Sequence, residues 1–193
     1  MAEMTEMEKQ TGEPEKNEGG SIVAGAFDWA EAFVRALVLV IVLLTFIFRI
    51  VSVDGSSMYP TLKNGEGVII SNLLYEPQKG DIIVIAQPNF TQKPIIKRLI
   101  ATGGDTVDIR YETNEVLVNG EVIDEPYLVE AMTKQGDVQL PLTLKEGELF
   151  VMGDNRNGST DSRSTLIGII DDRYVVGRVI LRIFPINKLG PVA

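Results

Sequence analysis

Residues 36–48 read Ala-Leu-Val-Leu-Val-Ile-Val-Leu-Leu-Thr-Phe-Ile-Phe, thirteen residues without a charge and with Thr45 as the single polar side chain. This stretch divides the chain. An acidic, glycine-punctuated segment precedes it, and short β-type runs separated by turn residues follow. At 1.5 Å per residue, thirteen residues of helix rise only about 20 Å, less than the roughly 30 Å of a hydrocarbon layer. Extended from Ala30 to Val51, the stretch reaches 22 residues and takes in Glu31, Arg35 and Arg49 near its ends. Arginine can snorkel to headgroups there, and Trp29 stands where an interfacial aromatic belongs. A helix of a soluble domain would carry a polar stripe, and the run has none. The expectation is a transmembrane signal-anchor helix within 26–51, left uncleaved because the leading region is acidic and no A-x-A site follows.

Working outward, residues 1–25 carry a net charge of −4 and no apolar period before Ile22. Such a segment cannot bury enough apolar surface to offset its ordering entropy, so a disordered acidic tail is expected. The whole chain of 193 residues has 18 basic and 27 acidic side chains, a net charge of −9, with −5 of it in residues 51–193. No basic patch invites nucleic acid as a partner. The sequence holds no His and no Cys. Disulfides, cysteine nucleophiles, Ser-His-Asp triads and imidazole or thiolate zinc sites are therefore excluded. No cofactor and no metal are expected, and an enzyme built from this alphabet must use Ser, Thr, Lys, Tyr or carboxylates.

From Ser52 to Ala193 the pattern is β. Candidate strands are Gly67–Ser71, Asp81–Ala86, Ile95–Ala101, Thr106–Arg110, Glu115–Val118, Leu149–Met152 and Tyr174–Phe184, set apart by turn signals such as Lys63-Asn64-Gly65 and Pro77-Gln78-Lys79-Gly80. Asn119-Gly120, between Glu115–Val118 and Glu121–Ile123, is a two-residue hairpin signal. No long 3.6-residue period occurs after residue 52. The reading is a mainly β, compact barrel or paired-sheet domain behind one N-terminal helix.

Four stretches carry candidate chemistry. In Gly55-Ser56-Ser57-Met58-Tyr59-Pro60-Thr61-Leu62, Pro60 restricts its own φ and its neighbour's, which stiffens the loop that presents Ser57. The same stretch also reads as an ordinary Ser-rich strand exit. In Lys93-Pro94-Ile95-Ile96-Lys97-Arg98-Leu99-Ile100, alternation puts Lys97 between Ile95 and Leu99 on one face. Desolvation there lowers a lysine pKa; the alternative is an edge-strand lysine snorkelling to water. Gly153-Asp154-Asn155-Arg156-Asn157-Gly158-Ser159-Thr160-Asp161-Ser162-Arg163 is denser in donors and acceptors than a turn requires. Ala101-Thr102-Gly103-Gly104-Asp105 reads as a tight turn closing the Lys97 strand.

Taken in order behind one apolar span, these blocks resemble the type I signal peptidase family in its compact, Gram-positive-like form, over about residues 30–185. The resemblance implies a membrane-anchored serine endopeptidase with a Ser/Lys dyad. Ser57 would be the nucleophile and Lys97 the general base. Ser159 would orient the lysine, Asp161 with Arg163 would form a supporting ion pair, and the Ser57 backbone N–H would be one oxyanion donor. The enterobacterial pattern has a serine two residues before the nucleophile as a second donor. Here that position is Gly55, which leaves the second donor unassigned. The implied substrates are secretory preproteins cut after small residues at −1 and −3, with Val51, Val53, Met58, Leu62, Ile95 and Ile96 lining shallow apolar pockets. The implied partners are those preproteins and membrane lipid. The implied topology is single-pass, with the N-terminus cytoplasmic and the β domain extracytoplasmic. A self-cleaving Ser/Lys peptidase of the SOS-repressor type shares the dyad chemistry but carries a DNA-binding N-terminal domain and no span. A non-enzymatic, membrane-anchored β binding module is the remaining alternative.

Overall fold

The computed structural model of the protein describes residues 18–88 and 93–192. The acidic tail is expected to be disordered, and its residues 1–17 lie outside that range. The rest of that expectation needs correction, because helix α1 runs Glu18–Phe46 and already includes residues 18–25. Once a helix is nucleated, each further residue adds a hydrogen bond at little cost, so the apolar stretch propagates N-terminally through Ile22 and Val23.

The C-terminal bound of the helix also differs from the sequence reading. The expected helix within 26–51 stops at Phe46, and β1 (Phe48–Ser52) takes the remaining residues into a sheet. The β region therefore starts at Phe48, before Ser52. Ile50 and Val51 are β-branched and fit a pleated surface better than a helix turn. A full antiparallel register, from Phe48 opposite Ser71 to Ser52 opposite Gly67, holds β1 against β2 (Gly67–Ser71). Among the described residues no helix is long and apolar enough to cross a membrane. The uncharged part of α1, residues 36–46, rises only about 16 Å.

The chain divides into two compact units, one ending at Val42 and one spanning Leu43–Ala193. In the second, the strands after β2 are β3 (Ile82–Ile85), β4 (Ile95–Ala101), β5 (Thr106–Arg110), β6 (Glu115–Val118), β7 (Glu121–Val122), β8 (Leu142–Thr143), β9 (Glu148–Met152), β10 (Ile170–Asp171), β11 (Val175–Phe184) and β12 (Gly190–Pro191). They form two antiparallel sheets. The larger has the order β1-β2-β11-β3-β4-β9-β10, with β12 on β11, and the smaller has the order β7-β6-β5-β8. The domain is mainly β, as the alternating patterns imply. The Asn119-Gly120 hairpin forms between β6 and β7 with φ of 55° and 84°, the positive pair that a type I′ turn needs.

Both faces of the large sheet are covered, which explains why its central strands read as continuous apolar runs. In β3, Ile82 and Val84 join a cluster with Met58, Leu62 and Ile70, while Ile83 and Ile85 join another with Leu99, Val151 and Ile170. A third cluster, around Phe150, Met152 and Val107, joins the small sheet to the large one. The consequence for Lys97 is direct. β4 lies between β3 and β9, so Lys97 is on a central strand rather than an edge. It pairs with Ile83 and is only 4 % exposed.

A fragment beginning at Ile47 retains β1, whereas one beginning at Ser52 leaves the β2 edge unpaired. The shorter fragment is expected to melt at a temperature lower by at least roughly 3 °C, equivalent to about 1 kcal/mol for a domain of this size, and to aggregate sooner. Thermal melts of the two fragments by circular dichroism check this.

Candidate active site

Two segments line one cleft, and a third is fastened to them. The first is the turn after β1. Tyr59 N donates to Ser56 O (3.0 Å) and Leu62 N to Met58 O (2.8 Å), which winds 56–62 into a short helical turn with Ser57 half-buried at its start. The second is β4 with Lys97. The third is the polar segment 153–163 that follows β9. Val51, Val53, Gly55, Ser57, Met58, Ile95, Ile96 and Lys97 all line a single cleft of ≈ 90 Å³. Ser57 and Lys97, forty residues apart in sequence, thus share one cavity wall. Leu62 does not reach it. That residue is fully buried in the cluster with Val68 and Ile70, because the bond to Met58 O turns its side chain inward. Its expected place in the substrate pocket is corrected accordingly.

Segment 153–163 ties the other two together. Asn155 N donates to Ser57 O (3.0 Å) and Asn155 Nδ2 to Ser56 O (3.1 Å). Thr61 Oγ1 donates to Asp154. From the other side, Arg98 Nε and Nη2 donate to the two Asp154 oxygens, each at 2.8 Å, in a buried bidentate pair. Asp154 therefore links the Ser57 turn to the residue next to Lys97. Sequence reading passed over it. The only signal was its place inside the 153–163 stretch, since neither partner is near it in sequence.

Gly153 is a glycine for a steric reason. The register of β4 with β9 sets Arg98 opposite Met152, and carried one residue further it sets Gly153 opposite Lys97. A Cβ on Gly153 would collide with Ser159 Oγ and stand 2.5 Å from the Ser57 carbonyl oxygen. Ser57 and Ser159 therefore crowd around one residue that has no side chain, next to the strand that carries Lys97. Ser159 is 2 % exposed, and its Oγ has no hydrogen-bond partner among the described residues. It nevertheless lies near enough to Asp161 to help hold that carboxyl ionised.

The ion pair at 161 and 163 is present and buried. Arg163 Nε donates to Asp161 Oδ1 (2.8 Å) and Nη2 to Oδ2 (2.9 Å), while Gly153 N donates to Asp161 Oδ2 (2.9 Å). Burial pushes the Asp161 carboxyl up, but Arg163, the Gly153 N–H and the Ser159 hydroxyl outweigh it, and the pKa lies below the ordinary value. For Lys97 the balance runs the other way. Burial pushes the ammonium down to about 8; Asp161 and Asp154 oppose that fall, and Arg163 adds to it. With a pKa of about 8, a minority of the amine is neutral at physiological pH, and that fraction can accept a proton, as a base requires.

Gly55 has φ of 99°, a conformation an L side chain rarely adopts, which accounts for glycine at this position. Its N–H donates to Asn64 Oδ1 (2.9 Å). Among the described residues no cluster of three or more His, Cys, Asp or Glu side chains is arranged to hold a metal ion.

Comparison with known proteins adds three findings. Residues 26–184 match the family model described as signal peptidase, peptidase S26. The chain is 35% identical to signal peptidase I S of Bacillus subtilis (strain 168), over 90% of this chain and 97% of the relative. It is 34% identical to a signal peptidase I of Bacillus amyloliquefaciens, over 96% and 98%. Among solved structures, a signal peptidase I from Enterococcus faecalis V583 is similar with a TM-score of 0.46 and 32% identity, over 54% of this chain and 97% of that one.

Proposed function

The chain belongs to the signal peptidase family, peptidase S26, and is a hydrolase of the signal peptidase I type; from that premise we propose that it is a membrane-anchored serine endopeptidase that removes signal peptides from secretory preproteins with a Ser57/Lys97 dyad. The observation that carries this reading is the shared cleft, in which Ser57 and a desolvated Lys97 line the same small cavity.

The chemistry follows from the groups present. Neutral Lys97 Nζ takes the proton of Ser57 Oγ as that oxygen bonds to the scissile carbonyl carbon. The tetrahedral oxyanion is held by the Ser57 N–H. Collapse breaks the C–N bond, the Lys97 ammonium returns its proton to the departing amine, and an ester on Ser57 remains. Water, deprotonated by Lys97, then attacks that ester; the new carboxyl terminus departs as the Lys97 ammonium returns its proton to Ser57 Oγ. Ser159 orients the amine, and the Asp161–Arg163 pair braces the segment that carries Ser159. The apolar walls at Val51, Val53, Met58, Ile95 and Ile96 leave room for a small side chain and exclude a large one by overlap.

Anchoring in lipid is supported by the exposure of α1. Every residue from Leu37 to Leu44 is an exposed aliphatic, on all faces of the helix, and such a surface is stable only in an apolar medium. Glu31 and Arg35, one turn apart, pair with each other, which lowers the cost of both near a headgroup layer. The proposed topology leaves the acidic N-terminus in the cytoplasm and the β domain outside.

The test is incubation of the full chain, in detergent, with a secretory preprotein. Cleavage in trans after a small-x-small sequence is the expected result. Self-cleavage alone would favour the SOS-repressor type of peptidase, and no cleavage would favour a binding module.

The role of Ser159 has its own check. Ser159→Ala is expected to lower kcat by about tenfold or more through loss of alignment of the base. The melting temperature should change little, because Asp161, which the hydroxyl helps hold ionised, keeps Arg163 and the Gly153 N–H as partners. Steady-state kinetics beside a thermal melt separate the two effects.

A further inference from the structure

Between β7 and β8 the chain runs as a strap, residues 123–141, with no regular secondary structure. It lies along the 153–163 segment and is fastened to it repeatedly. Asn157 Oδ1 accepts from Thr133 N (2.8 Å) and Lys134 N (3.2 Å), and Asn157 Nδ2 donates to Ala131 O (2.9 Å). Lys134 Nζ donates to Ser159 O (3.2 Å), and Asp137 N to Arg163 O (3.0 Å). These contacts hold the C-terminal half of the strap.

The N-terminal half is held differently, by charge. Glu125 pairs with Arg156 through both guanidinium Nη atoms, with side chains 7 % and 1 % exposed. Arg156 Nε in turn donates to Gly153 O (3.2 Å), the residue opposite Lys97. Tyr127 donates its hydroxyl to Glu125 Oε1 (2.7 Å), and its ring carries the Arg98 guanidinium at 3.9 Å. Arg98 is covalently next to Lys97. One carboxylate thus reaches both neighbours of the lysine, across the strand and along it.

We propose that Glu125 is a positioning residue for Lys97: from the strap it holds Arg156 directly and Arg98 through Tyr127, and so fixes the two segments that flank the base. The inference rests on the reading of Lys97 as the general base. Glu125 touches neither substrate nor the reacting atoms. Because the strap has separate fastenings at 131–137, loss of the Glu125 charge loosens Arg156 without releasing the strap. It also leaves a buried guanidinium uncompensated, on the segment that faces Lys97 together with Asp154, Asp161 and Arg163.

The experiment compares Glu125→Gln, Tyr127→Phe and a control, Val116→Ala, in the full chain. The control removes volume from the core of the small sheet, away from the cleft. Two quantities are read: kcat and KM on a short small-x-small peptide per folded enzyme, and the titration of Lys97 Nζ by NMR. For Glu125→Gln the expected result is a kcat at least about tenfold lower, with KM within about twofold. Its Lys97 titration should move measurably, because the segment that carries Asp154, Asp161 and Arg163 shifts relative to the amine. Tyr127→Phe, which keeps the ring on Arg98, should lower kcat by about threefold, and Val116→Ala should leave kcat per folded enzyme unchanged. A Glu125→Gln enzyme with wild-type kcat and an unmoved Lys97 titration would overturn the proposal. If that variant does not fold, wild-type kcat in Tyr127→Phe overturns it instead. If wild type itself cuts no peptide, the reading of the base fails, and the Lys97 titration still decides whether Glu125 positions the lysine.

Discussion

Lys97→Arg is expected to be as inactive as Lys97→Ala, with cleavage lost by about a thousandfold or more. Length and charge are nearly conserved by that substitution, so a lysine that merely attracted a substrate carboxylate would survive it. A guanidinium stays protonated throughout the accessible pH range and cannot take the Ser57 proton. The wild-type pH profile carries the same prediction. Burial holds the Lys97 pKa near 8, so kcat/KM should fall tenfold per pH unit well below that value, to about one hundredth of its plateau at pH 6. Activity of the Arg variant, or a flat acid limb in wild type, would remove Lys97 from the role of base.

The same burial has a thermodynamic side. A folded pKa of about 8 against an ordinary 10.5 means that the unfolded chain binds this proton more tightly. Stability therefore rises with pH between about 8 and 10.5, and the full penalty is present below 8. Lys97→Met should be inactive yet more stable than wild type at pH 7, by up to about 3 kcal/mol. The advantage should vanish as the pH approaches 10.5. Chemical denaturation of both proteins at pH 7 and pH 10 measures this.

Ser57→Ala is expected to abolish cleavage and leave the fold intact. The substitution deletes one hydroxyl from a half-buried turn and no core volume, so its cost in stability should stay within about 0.5 kcal/mol. The turn is held by backbone and neighbouring groups, Asn155 on the carbonyls of Ser56 and Ser57 and Thr61 on Asp154, none of which uses the Ser57 side chain. Burst kinetics on an ester substrate distinguish an absent nucleophile from a misplaced one: the Ala variant should show no acyl-enzyme burst. Near-wild-type turnover with preserved circular dichroism would sink the assignment.

What the sequence determined by itself was local or compositional. Residues 67–71 and 106–110 carry their strands within their own alternation, 95–101 and 115–118 within short β-prone runs bounded by turn residues, and Asn119-Gly120 carries its own turn. The absence of His and Cys excluded imidazole and thiolate chemistry and left Ser, Thr, Lys, Tyr and carboxylates, while the choice of a Ser/Lys dyad is what the family resemblance implies. Other features depended on groups far apart in the chain. The helix ends at Phe46 because β2 is available to pair with Phe48–Ser52, and the apolar run contains no mark of that partner. The strands at 142–143, 170–171 and 190–191 are two residues long, too short for any period to register. Lys97 became a desolvated side chain rather than a snorkelling edge residue because β9 covers the side of β4 away from β3. Leu62 went to the core rather than the cleft because of a single turn of backbone. Asp154 and Glu125 acquire their roles from arginines that only the folded chain brings near. An ion pair is set by distance in space, and neither its sign nor its strength leaves a period in the sequence.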